Sequence, residues 1–308
     1  MKNKIIFLFP LLLTTIVGCS PKGVSHTFEF VVLQDADRRT YAAGEMFDTT
    51  GLKIGFKCTD CGKVLEEPVW YENNVDLEVG QESITIKSNW GGGDYTIEYP
   101  ITVKEKFHIA CIGDSLTYGH MWRDKAYPVY LSNKVSKYYE VGNFSYNGLS
   151  ITGYGGSFDN PDERYIVRDE YKQSLAFKPD VFAIMLGTND ATGWAKAEPT
   201  FYDEYKILLD SYIEEIPDAQ FIMMVSPPCI SPNQFSIPND VINDSVNPIQ
   251  RDLADEYGFE VLDLREEFEA HENYESDYLR PNDGVHFTEM GAEYVANRVW
   301  EIVQNLKF

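Results

Sequence analysis

From residue 107 onward the chain alternates short apolar runs with longer stretches of helical spacing, and this alternation leaves few folds open. The runs 107–112, 139–144, 181–186, 221–225 and 260–263 are too short for buried helices and are read as strands. Between them, 126–138, 200–215 and 241–257 carry helical spacing, and Thr288 is placed to cap a closing helix reaching 306. Strands separated by helices cannot pair as hairpins; they form a parallel sheet covered on both faces. The expected architecture for 105–308 is therefore α/β with a parallel five-stranded sheet.

Upstream the pattern changes. Residues 25–104 show short β-rich runs (28–33, 52–56, 83–87 and 95–103) broken by turn residues, Gly91-Gly92-Gly93 among them, which predicts an all-β module. With 44% hydrophobic and 14% aromatic residues, both parts can bury a core. The segment Tyr41-Ala42-Ala43-Gly44-Glu45-Met46-Phe47-Asp48-Thr49-Thr50-Gly51-Leu52, with Asp76-Leu77 and Gly80-Gln81 after it, resembles bacterial immunoglobulin-like modules of surface proteins. That resemblance implies an immunoglobulin-like sandwich acting as a spacer, with glycan binding as the alternative.

Lys2 and Lys4 precede an apolar stretch, 5–17, too short to span a bilayer comfortably, as an export signal requires. Ile16-Val17-Gly18-Cys19 resembles the lipobox of bacterial lipoproteins, which implies cleavage after 18, a lipid on Cys19 and a linker over 19–24. The alternative is an ordinary cleaved signal with an incidental cysteine. Outside the cytoplasm, Cys58 and Cys61 close a small disulfide or remain two thiols in a hairpin turn. A zinc site lacks half its ligands in sequence, since there is no second Cys-x-x-Cys and no histidine nearby. Cys111, inside the 107–112 run, is a core residue.

Charge bears on partners. Up to Lys106 there are 11 basic and 15 acidic residues, leaving −4, and after it 15 and 34, leaving −19. A surface that negative repels nucleic acid, sulfated glycans and anionic lipid and suits a neutral or weakly charged substrate, although it also serves solubility alone.

In open parallel sheets ligands bind outside the carboxyl ends of the strands. Three such ends carry polar, glycine-containing blocks: Gly113-Asp114-Ser115, 143–148 and Gly187-Thr188-Asn189-Asp190. Gly113 can take the positive φ of a sharp turn, which would set Ser115 at the start of the next helix, where free N–H groups favour developing negative charge. An ordinary turn or N-cap uses the same residues. The last loop adds Asp283-Gly284-Val285-His286, a carboxylate and an imidazole across one tight turn. Together these are the parts of a serine hydrolase: Ser115 as nucleophile, His286 as base, Asp283 orienting the imidazole. The N–H groups of Ser115 and Gly148 and the Asn189 amide are the expected oxyanion donors. Of the other histidines, His26, His108 and His271 have no place at the crevice, whereas His120 follows Ser115 closely enough to line it.

The four blocks, in this order, resemble the SGNH/GDSL hydrolases, and the match spans roughly 107–308. The resemblance implies a flavodoxin-like sheet, ester hydrolysis and no metal or other cofactor. Ser145 departs from it, since many members have glycine there. A Gly-x-Ser-x-Gly elbow, an HExxH motif and a phosphate loop are absent.

The natural ester is less constrained, because the family includes lipases as well as carbohydrate acetylesterases. Tyr118, Met121, Trp122, Tyr154 and Trp194 offer aromatic or apolar faces near the crevice for a sugar ring, and ordinary loop packing explains each equally well. No long apolar loop resembles a lid. The 143–150 and 181–194 stretches look more like the sugar-directed branch, so the substrate expected is an acetylated extracellular carbohydrate. A GDSL lipase and an inactive glycan-binding surface protein are the alternatives.

Overall fold

In the computed structural model, which describes residues 26–68, 70–71 and 76–308, the five strands expected downstream form one parallel sheet. They are β1 (Phe107–Gly113), β2 (Tyr139–Ser145), β3 (Val181–Met185), β4 (Gln220–Val225) and β5 (Glu260–Asp263), in the order 2-1-3-4-5. This is the doubly wound order in which the chain reverses direction beside β1 and opens a crevice there. Strands with neighbours on both sides are buried on both faces, so Ile109 to Gly113 of β1 and all of β3 are inaccessible, while Val261 on the β5 edge is 43% exposed.

The covering helices are α1 (Tyr127–Lys134), α2 (Asp169–Ala176), α3 (Phe201–Glu215), α4 (Asn247–Tyr257) and α5 (Glu289–Val303). Each turns one stripe inward: Phe201, Tyr205, Leu208, Leu209 and Tyr212 on α3, and Ala292, Val295, Ala296, Val299 and Val303 on α5. Thr288 caps α5 by accepting from Gly291 N at 3.0 Å.

Three helices differ from expectation, the closing one by ending at Val303 instead of 306. The first stops at Lys134 instead of 138, because Ser136 makes a turn in place of the last helical turn, its carbonyl accepting from Tyr139 N at 3.1 Å. The 241–257 helix is interrupted by a π turn, Ile242–Val246, just before Pro248. Proline has no N–H to donate and its ring crowds the carbonyl four residues earlier, so one wider turn absorbs the misfit.

The second compact unit covers 106–306; the first covers 1–105 together with Lys307–Phe308, so the C-terminal dipeptide lies outside the unit expected to hold all of 105–308. The Phe308 carbonyl oxygen accepts from Arg39 N and Thr40 N at 3.1 and 3.2 Å. The described part of the first unit is built of strands and one short 3-10 turn. Phe28–Gln34 pairs antiparallel with Lys53–Cys58, which pairs with Val64–Glu67; Trp70–Tyr71, Ser83–Ser88 and Tyr95–Pro100 form another antiparallel set, and Thr40–Ala42 runs parallel to Thr102–Lys104. Tyr41, Phe47, Ile54, Ile86, Tyr99 and Val103 are among its core residues.

The expected export leader over 1–18, the lipidated Cys19 and the 19–24 linker lie outside the described residues. No described helix is long and apolar enough to cross a membrane. Cys58 and Cys61 carry free thiols, and Cys111 is buried as expected. The expectation that no histidine approaches Cys58 is corrected: Phe28 pairs with Cys58, so residue 26 falls beside the turn that follows, and His26 Nδ1 is 3.5 Å from Cys58 Sγ.

Candidate active site

Register assembles the site. β1 pairs Gly113 with Ser145 on one side and with Met185 on the other, so the three polar blocks leave the sheet side by side. Gly113 is required for space rather than for the positive φ expected: a Cβ there would lie 2.1 Å from Thr117 Oγ1 and 2.9 Å from the Met185 carbonyl. The helix expected at Ser115 lasts a single turn, Ser115–Tyr118, so its dipole is small and any donor effect comes from individual N–H groups. Asp114 caps that turn by accepting from Leu116 N at 2.9 Å.

The last loop delivers its two side chains as anticipated. Asp283 Oδ1 accepts from Val285 N at 2.8 Å and His286 N at 2.9 Å, which leaves Oδ2 for His286 Nδ1 at 3.2 Å. With Nδ1–H donating to the carboxylate, Nε2 is the acceptor, and it lies 2.9 Å from Ser115 Oγ. The order serine, imidazole, carboxylate is thus continuous, with Asp283 and His286 both buried.

Burial disfavours the Asp283 carboxylate, but hydrogen bonds from His286 and from the Val285 and His286 N–H groups outweigh it and hold its pKa below the ordinary value. His286 is lowered from 6.5, by burial first, with His120 and Arg280 adding to it and Asp283 opposing. A base must be neutral, so activity should persist to lower pH than an ordinary histidine allows. The expected acid limb of kcat/KM has its midpoint below about 6.5. A pH–rate profile checks this; a midpoint above that value, or no limb between about pH 4 and 8, would contradict it.

A cavity of about 180 Å³ opens over Ser115 and His286. All three expected oxyanion donors line it, and the N–H groups of Ser115 and Gly148 donate to nothing among the described residues. Gly148 has φ 76°, a conformation side chains resist, and a Cβ would sit 2.3 Å from Ser157 Oγ. The Ser145 departure therefore leaves the turn at Gly148 intact. The Asn189 amide already donates to the Leu149 carbonyl at 2.8 Å and to Asp114 Oδ2 at 3.2 Å, so it reaches a cavity ligand only by sharing one of those hydrogens.

The residues expected to face a sugar do not line this cavity. Tyr118 packs edge-on against Tyr146 under Arg123, Trp122 lies over the Arg280 guanidinium, Trp194 meets Phe201, and the Tyr154 ring centroid lies 5.8 Å from Lys196 Nζ. Met121 is 83% exposed. The walls are instead His120, Asn147, Ser157, Thr192, Phe235 and Ile237. His120 stacks on His286 with ring centroids 4.4 Å apart and lies 3.2 Å from Asn147 Oδ1, and Phe235 meets both imidazoles edge-on. Of these, His120 was anticipated as a lining residue. The Phe235 loop leaves the carboxyl end of β4, so the rule applied to the first three strands was the signal for it.

Two further residues hold the loops. Asp190 accepts from Ile151 N, Thr152 N and Thr152 Oγ1 at 3.0, 2.9 and 2.8 Å, tying the second block to the third. Arg280 donates to the Phe287 and His120 carbonyls at 2.8 and 2.7 Å, tying the last loop to the first. Burial, chiefly, raises Asp114 to about 7 and Asp190 to about 6, and the hydrogen bonds each accepts oppose that shift only in part.

Residues 111–294 match the GDSL-like Lipase/Acylhydrolase family. An acetylxylan esterase of Xylanibacter ruminicola is 29% identical over 229 residues, which are 66% of this chain and 44% of that enzyme; the chain thus spans less than half the length of this relative. Among solved structures, an acetyl xylan esterase superposes with a TM-score of 0.50 at 20% identity, covering 64% of this chain and 100% of the other. The aryl esterase of M. smegmatis superposes with a TM-score of 0.52 at 18% identity, covering 65% and 99%. At these identities the structural likenesses speak to the fold.

Proposed function

This chain belongs to the GDSL-like lipase/acylhydrolase family of carboxylic ester hydrolases, and we propose that it is a serine esterase removing small acyl groups, chiefly acetyl, from carbohydrate. The observation that carries the reading is the hydrogen-bonded series from Ser115 through His286 to Asp283 at the floor of a small cavity. In this reading Ser115 Oγ attacks the ester carbon as its proton passes to His286 Nε2. Negative charge on the carbonyl oxygen meets the Ser115 and Gly148 N–H groups, with the Asn189 amide sharing a hydrogen. His286 then protonates the departing alcohol, and water, activated by the same imidazole, frees the acid from Ser115.

Size supports a short acyl chain. A cavity of about 180 Å³ is small beside the ~300–1,000 Å³ of sites for larger ligands, and Phe235 and Ile237 close its apolar side. The −19 charge after Lys106 disfavours an anionic phospholipid surface. Similarity to an acetylxylan esterase supports a polysaccharide as the alcohol half. On the same reading a lipid on Cys19 holds the enzyme outside the cell and an immunoglobulin-like first unit serves as spacer, which membrane fractionation of a Cys19→Ala protein tests.

The deciding experiment compares aryl acetate, butyrate and long-chain esters, then measures acetate released from acetylated xylan, pectin and sialic acid. We expect kcat/KM at least about tenfold higher for acetate than for a long chain, equivalent to ~1.4 kcal/mol of transition-state stabilisation. We also expect acetate release from at least one glycan. Faster turnover of long chains with no glycan deacetylation would make the protein a lipase.

A further inference from the structure

We propose that His26, Cys58 and Cys61 of the first unit form a binding site for a thiophilic divalent metal ion, zinc above all. The donors are His26 Nδ1 and the two thiol sulfurs, which all lie within 4.8 Å of one another. The separation between His26 Nδ1 and Cys58 Sγ is 3.5 Å. Tetrahedral zinc, with bonds of about 2.3 Å to sulfur and about 2.0–2.1 Å to nitrogen, sets those two donors about 3.5 Å apart. The fourth position falls to Asp60, whose Oδ2 is 3.8 Å from His26 Nδ1, or to water.

The local chain is shaped for this. Cys58-Thr59-Asp60-Cys61 has the two-residue gap common among paired zinc ligands. The turn is closed by Gly62 N donating to the Cys58 carbonyl at 2.9 Å and Cys58 N to the Lys63 carbonyl at 2.8 Å. Cys61 N donates to Cys58 Sγ at 3.3 Å, a contact that favours a thiolate. The backbone next to His26 is held from the other side of the ladder, where Thr59 N donates to the Thr27 carbonyl and Thr27 N to Asp60 Oδ2, both at 2.9 Å. Cys58 is buried, His26 half-buried and Cys61 exposed, so an ion can enter from solvent and still fasten the start of the first strand to the hairpin tip. None of these residues belongs to the hydrolase unit, so the role is structural.

The test uses the purified full chain, reduced and then freed of reductant. Cobalt(II) is expected to bind at one equivalent with a thiolate-to-metal charge-transfer band and the visible spectrum of a tetrahedral ion, both abolished by stoichiometric zinc. Cys58→Ser and Cys61→Ser should each lose or weaken the charge-transfer band. His26→Ala should weaken zinc binding at least tenfold, since losing even an outer-sphere partner costs ~10–100-fold. His271→Ala is the control that should change nothing in metal binding; aryl ester hydrolysis should be equal in the cysteine and His26 variants, and circular dichroism of each metal-free variant, matched to the metal-free wild type, reports that the first unit is folded. Absence of the charge-transfer band in the wild type would overturn the proposal. So would cobalt binding unchanged by both cysteine substitutions, or a protein isolated from its natural location with a Cys58–Cys61 disulfide and no zinc.

Discussion

Replacing Ser115 with alanine is expected to lower kcat on small aryl esters by on the order of 10⁶, the loss seen when the nucleophile of a serine hydrolase is removed. Among the described residues Ser115 Oγ meets one hydrogen-bond partner, His286 Nε2, and it supports no loop or cap, so the fold should survive. Thermal unfolding within a few degrees of the wild type, with covalent labelling by an organophosphonate abolished, would show that chemistry and not structure was lost. Two other serines serve as internal controls. Ser157 lines the cavity, and Ser145, paired with Gly113 at the strand end, donates its Oγ hydrogen to Asn143 Oδ1. Labelling of either in the Ser115→Ala protein would remove Ser115 from the role.

Asp283→Asn is expected to cost on the order of 10⁴ in kcat, because it should install the wrong imidazole tautomer. The structure says how. Oδ1 already accepts from two backbone N–H groups, so the single oxygen of an asparagine stays there, and its NH₂ turns toward His286 Nδ1. Nδ1 must then accept, the proton moves to Nε2, and Nε2 can no longer take the proton of Ser115. KM should change little, since the carboxylate is not among the groups lining the cavity. A kcat within tenfold of the wild type would mean that the imidazole is oriented by something else, and His120, stacked on it, would be the first residue to examine.

The parts of this site governed by local rules were legible in the sequence. Strand and helix alternation gave the parallel sheet, the carboxyl-end rule collected Ser115, Gly148 and Asn189, and the three-residue spacing of Asp283 and His286 gave their contact. Gly113 was recognised for the wrong reason. Its value lies in the approach of Thr117 and the Met185 carbonyl, a constraint set by a neighbouring strand that no local pattern reveals. The aromatic residues failed as wall candidates because proximity in sequence to Ser115 or Asn189 does not fix the direction of a side chain; Trp122 is taken up by Arg280, and Trp194 by Phe201. Phe235 and Ile237 lie more than 100 residues from Ser115, and only the fold brings them to it. The same holds for His26, placed beside Cys58 by antiparallel pairing across 32 positions.

The loop that carries Phe235 hangs on the loop that carries the base: Gln234 N donates to the Asp283 carbonyl at 2.9 Å and Ile230 N to the Gly284 carbonyl at 2.7 Å. The wall that Phe235 builds and the turn that carries Asp283 and His286 are therefore joined by two hydrogen bonds. A bulky acyl group that displaced Phe235 would strain the Asp283 and Gly284 peptides that accept these bonds. Selectivity for chain length then registers in turnover as much as in affinity, and broadening the pocket alone detunes the catalyst unless the two carbonyl anchors are rebuilt with it.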